Sequence, residues 1–97
     1  VVFEYLNILP VLNKDVLVHV HDIFTPKDYP SKWVDSFHLL WNEQYMLEAF
    51  LTFNDQFEII GALNFLRHHH REALAAKCPV FSVNKNSEPG SFWMKKK

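Results

Sequence analysis

Apolar residues run along this chain in short blocks, and the spacing within each block predicts a different element. Val1, Val2, Phe3, Tyr5, Leu6, Ile8 and Leu9 form a helical pattern over Phe3 to Leu12, and Pro10 with Asn13-Lys14-Asp15 predicts its stop and a turn. Val16-Leu-Val-His-Val20 is an apolar run of strand type that ends abruptly in His21 and Asp22. Thr25-Pro-Lys-Asp-Tyr-Pro-Ser-Lys32 carries two prolines among turn formers, which predicts an ordered loop leaving the strand end. From Trp33 or Trp41 to Phe53 the pattern is that of an amphipathic helix. Met46, Phe50 and Phe53 fall on one line with Leu47 and Ala49 beside them, and Gln44, Glu48 and Thr52 share the opposite side. Phe57 to Leu63 predicts a short buried strand and Arg67 to Lys77 a more polar helix stopped by Pro79. Ser91 to Met94 predicts a final strand after the Pro89-Gly90 turn.

This order predicts an α/β fold. The strand-helix-strand unit calls for parallel pairing, whereas the last two strands can pair antiparallel, so a mixed sheet with one antiparallel strand near the end is expected. In such sheets ligands bind beyond the carboxyl ends of the strands, which makes His19, His21 and Asp22 rim groups. Residues two apart on a strand share a face at roughly 6.6 Å, so His19 and His21 lie together and Asp22 joins them only through a bend. A histidine there can take a proton from a reacting group. A strand-end His and Asp can equally satisfy loop backbone groups, and His19, deeper in the strand, suits a hydrogen-bonded structural role.

The second candidate group opens the helix at Trp41-Asn-Glu-Gln-Tyr45. At about 100° per residue, Asn42 and Glu43 project toward the side of Met46, Leu47 and Phe50. A carboxylate at that place is stabilised by the helix dipole, and it also reaches the neighbourhood of His21. Tyr29, Trp33 and Trp41 serve either as an aromatic wall for a ligand or as core that anchors the loop. His68-His69-His70 does not make a metal site, because consecutive helical residues point about 100° apart. Zinc wants four ligands, and Cys78 has no second thiol near it.

Composition narrows the classes further. The 97 residues are 48% hydrophobic, with nine Phe and three Trp, a rich apolar load for a chain of this size. Together with an opening on Val1 inside an apolar pattern, this leads us to expect a single partial domain over residues 1–97, self-associating or packed against neighbours through surplus apolar surface. Ten basic and eleven acidic residues give a net charge of −1, with no electrostatic footprint for nucleic acid or an anionic membrane. No stretch approaches the roughly 18 consecutive apolar residues of a transmembrane helix. A lone cysteine excludes an internal disulfide and fits a reducing, cytoplasmic compartment.

The blocks His19-Val-His-Asp-Ile-Phe24 and Trp41-Asn-Glu-Gln-Tyr45 carry a resemblance, supported by Asp28-Tyr-Pro30, Trp33, Ala49-Phe-Leu51, Asn54 and Pro89-Gly-Ser-Phe-Trp93. Together they resemble the C-terminal part of bacterial class I S-adenosylmethionine-dependent methyltransferases of the small-molecule type. The resemblance covers nearly the whole chain, specifically in the two blocks and loosely through Asn64 to Glu88. It implies the C-terminal half of a Rossmann-like fold and methyl transfer to a small-molecule or sugar-linked acceptor. His21 and Asp22 would be catalytic, and His19, Tyr29, Trp33, Trp41, Asn42 and Glu43 would contact the acceptor. It implies S-adenosylmethionine as cofactor, held mainly by a glycine-rich loop and an acidic strand end in the first half of the domain. This chain has only Gly61 and Gly90 and no such loop, so no cofactor-binding residues are assigned within it and the chain alone is expected to be inactive. In metal-dependent members Asp22 would help hold a divalent ion, although Ile23 stands where an Asn is usual. The alternative is a non-catalytic binding or assembly module that keeps the half-fold. A metal-dependent hydrolase or oxygenase built on His19, His21 and Asp22 is the remaining option, and it lacks a third convergent ligand.

Overall fold

A computed structural model of the chain describes residues 1–84 and 86–97. The N-terminal pattern forms a wide helical turn over Glu4–Ile8 that tightens into a 3₁₀ turn at Leu9–Val11, where Pro10 cannot donate to a longer helix. Only Tyr5 and Leu9, four apart on one face, are buried; Phe3, Leu6 and Val11 face solvent.

Three strands follow in the order β1 (Leu17–Val20), β2 (Phe57–Ala62) and β3 (Phe92–Lys96), and in the sheet β3 lies between the other two. Both ladders are antiparallel, Val20 opposite Phe92 on one side and Ala62 opposite Phe92 on the other. The expected mixed sheet is therefore corrected. β1 and β2 run in the same direction, as their helical connection requires, but β3 separates them and no parallel ladder forms among the described residues. The burial of β3 accounts for this. Phe92 and Met94 are 1% and 0% exposed, the alternate residues that a strand paired on both sides turns toward the core.

Helix α1 (Ser31–Asp35) is a single short turn, and α2 (Glu43–Leu51) is the helix that covers the sheet. Leu47 of α2 joins Tyr5, Leu9, Val20, Ile23, Phe57, Phe92 and Met94 in one core, flanked by Val18, Met46, Phe50 and Ala62. Two expectations about α2 are corrected. Phe53 lies beyond the helix end at φ 57 and is fully exposed, and Gln44, assigned to the polar side, is 1% exposed. β2 is not a buried strand: Ile59 and Ile60 are half-exposed, because β2 is an edge and a bulge between Ile59 and Gly61 leaves Ile60 unpaired in the ladder. The polar helix expected over Arg67 to Lys77 is two helices, α3 (Leu63–His69) and α4 (Arg71–Lys77), broken at His70 and followed by the short α5 (Val80–Val83). No helix among the described residues is long and apolar enough to cross a membrane.

Candidate functional site

The site is built where β1 runs out. Asp22 adopts φ 61, a left-handed conformation that Asp tolerates better than most residues, and this is the bend that strand geometry requires before His21 and Asp22 can share a space. The chain is pinned immediately after it. The Ile23 N–H donates to the Gly90 carbonyl at 2.9 Å, and the Phe24 N–H donates to Gln44 Oε1 at 2.7 Å. Gly90 allows the closest of these approaches, since a Cβ there would stand 2.9 Å from Asp22 Cα and 3.1 Å from Asp22 N.

Gln44 is the fastener on the helix side. Its Nε2 donates to the Lys27 carbonyl at 2.7 Å, and its backbone N–H, one of the orphan donors in the first turn of α2, donates to Tyr29 Oη at 3.0 Å. Thr25 Oγ1 donates to Glu48 Oε1 at 2.8 Å, one turn further on. The loop over Thr25 to Pro30 is thereby tied to α2 along the Gln44–Glu48 line. Its polar residues face inward because loop backbone groups must be satisfied there.

These ties leave an open cleft of about 440 Å³ lined by His21, Asp22, Tyr29, Trp41, Asn42 and Glu43, together with Val1 and Leu40. Six of the eight residues singled out in the sequence thus meet in one cavity. His19 and Trp33 do not line it. His19 stacks on Trp93, with centroids 4.2 Å apart and planes 9° apart, and its ring lies 4.3 Å from that of His21. The hydrogen-bonded role expected of His19 is corrected: its buried Nε2 has no hydrogen-bond partner among the described residues, and stacking holds the ring. Trp33 stands behind the wall, meeting Trp41 and Phe24 edge-on at 5.2 and 5.3 Å.

The electrostatics of the cleft are negative. Burial raises the Tyr29 hydroxyl above its ordinary range; the hydrogen bond from Gln44 opposes this, and the charges of Glu43, Asp22 and Glu48 add to it. Tyr5 donates to Glu43 Oε1 at 3.3 Å and is likewise pushed up, first by burial and then by the Glu43 charge. Asp22 takes no side-chain hydrogen bond or ion pair among the described residues.

No three His, Cys, Asp or Glu side chains among the described residues converge as a metal site, at the cleft or at His68 to His70. The donor set for a divalent ion at Asp22 is therefore not assembled from these residues. Gln44 is the residue that sequence reasoning missed; the signal available was its i, i+4 spacing to Glu48 beside a loop rich in unpaired backbone. No family model, curated protein or solved structure matches the chain.

Proposed function

We propose that this chain is the acceptor-binding, C-terminal part of a class I S-adenosylmethionine-dependent methyltransferase domain, a cytoplasmic enzyme acting on a small-molecule or sugar-linked acceptor. The observation that carries the reading is the meeting of residues from the HxHDIF and WNEQY blocks in one cleft just beyond the carboxyl end of β1. The sheet supports it too: two strands run alike across a helical connection, and a reversed closing strand pairs with both.

On this reading the cofactor, when bound by the first half of the domain, supplies an electrophilic methyl group. His21, exposed at the strand end, takes the proton from the acceptor atom. Asp22, fixed by its left-handed bend and by the Ile23–Gly90 hydrogen bond, orients the acceptor from the same side. Tyr29 and Trp41 give it a flat apolar wall, and Asn42 and Glu43 accept or donate hydrogen bonds along its edge.

Calorimetric titration of S-adenosylmethionine tests this, using the chain and a longer polypeptide that includes whatever its gene encodes upstream of Val1. Binding by the longer polypeptide alone is the expected result. Failure of both favours a non-catalytic assembly module, a reading that draws on the exposed apolar face of Phe3, Leu6 and Val11.

A further inference from the structure

The charges that line the cleft do not balance. Asp22 and Glu43 bring two carboxylates, and no lysine or arginine is among the lining residues. Val1 also borders the space, and its α-amino group is paired with Glu4 Oε2 at 2.7 Å. One Glu43 oxygen takes the Tyr5 hydroxyl, a neutral partner that leaves the charge in place, and the Asp22 carboxylate has no hydrogen-bond or ion-pair partner among the described residues. Beside these carboxylates stand two rings. Tyr29 is locked by the Gln44 N–H, and Trp41, half-exposed, is braced edge-on by Trp33.

Two uncompensated carboxylates and two aromatic rings around one cavity favour a particular ligand charge. An anion is repelled, and a neutral hydroxyl compound offers only dipoles to a site with net negative potential. A protonated amine answers both carboxylates with charge-assisted hydrogen bonds and is attracted to the electron-rich ring faces. We infer that the cleft recognises a small molecule through a protonated amino group, held by Asp22 and Glu43 with the Tyr29 and Trp41 rings beside it. The inference rests on the methyltransferase reading only in identifying that molecule as the acceptor.

The test is an amide ¹H–¹⁵N NMR titration of the full chain with three probes of one shape at matched ionic strength: benzylammonium, benzyl alcohol and benzoate. Benzylammonium is expected to shift the amides of His21, Asp22, Trp41 and Glu43, with a Kd roughly tenfold below that of benzyl alcohol, and benzoate is expected to shift none of them. Asp22→Asn should weaken benzylammonium roughly three- to tenfold and leave benzyl alcohol unchanged. This variant breaks no side-chain hydrogen bond among the described residues, so the result does not depend on Glu43→Gln, which alters the acceptor of Tyr5. Silence toward all three probes overturns the inference, as does equal binding of the alcohol or the benzoate, or indifference of benzylammonium to Asp22→Asn. Because S-adenosylmethionine enters no arm of this experiment, its failure and the failure of the cofactor titration are separate results.

Discussion

The region around the cleft and the arm formed by α3, α4 and α5 are held by different means. Around the cleft, a core of Leu47, Phe92, Met94 and their neighbours is overlaid by a buried hydrogen-bond fastener at Gln44. The arm, residues 63–83, buries only Asn64 and Phe81, and its Val80 and Val83 face solvent. It is attached at its root by polar contacts. Asn64 Nδ2 donates to Glu88 Oε2 at 2.8 Å and to the Pro89 carbonyl at 3.1 Å, and the Leu63 N–H donates to the Ser91 carbonyl. Burial of apolar area supplies most of folding stability, so the first region sets the global stability and the second opens locally at lower cost.

A pair of core truncations breaks or sharpens this contrast. Leu47→Ala, at a site 1% exposed within the core, should cost about 3 kcal/mol in urea denaturation. Phe81→Ala removes a larger buried side chain that lies outside that core, and it should cost less than half as much. Its effect should appear as faster amide exchange confined to 63–83. An equal loss for both variants would make the arm part of one cooperative unit with the core.

The fastener comes next in size. Gln44→Leu keeps the volume but leaves the Phe24 N–H and the Lys27 carbonyl without their partners at a buried position. The expected cost is about 2 kcal/mol, with loosened amides from Phe24 to Tyr29. A melting temperature unchanged from the parent would show that water takes over both groups. Gly90→Ala should cost about 1–2 kcal/mol, because its methyl group meets Asp22 backbone that cannot rotate away. The Asp22 amide resonance should shift more than any in the arm, and a shift confined to the arm would contradict the close approach.

The same contrast explains what could be read in the sequence. Elements with a strong period were legible: the β1 run, the α2 stripe through Leu47, and the closing strand. The cleft residues were legible as well, because His21 and Asp22 end an apolar strand and Asn42 and Glu43 open an apolar helix, and both places project polar groups into a common space. Three features were not legible, for physical reasons. The central place of β3 depends on how deeply Phe92 and Met94 are buried, which no local pattern records. The inward turn of Gln44 depends on unsatisfied backbone in a loop far upstream of it, the Phe24 N–H 20 positions away and the Lys27 carbonyl 17 positions away. The break at His70 follows from a weakly amphipathic arm, where little packing energy holds two short helices in register as one.

The smallest expected effect lies at the joint between the two regions. Glu88 is pushed up by burial, but the hydrogen bonds from His68 and Asn64 and the charge of Arg67 outweigh this, and its carboxyl lies below the ordinary carboxylate value. A group held low in the folded state adds stability that is fully present above its unfolded value and is lost as pH falls through the folded one. The carboxylate is more than a third exposed, so solvent screening keeps the contribution to about 1 kcal/mol or less. Glu88→Gln should therefore lower stability slightly at neutral pH and not at all at pH values well below the carboxylate range, where the parent carboxyl is protonated too. Because Glu88 joins the arm to the Pro89-Gly90 turn behind Asp22, the variant should speed exchange in α3 before it alters the cleft amides. The reverse order would mean that the joint supports the site and not the arm.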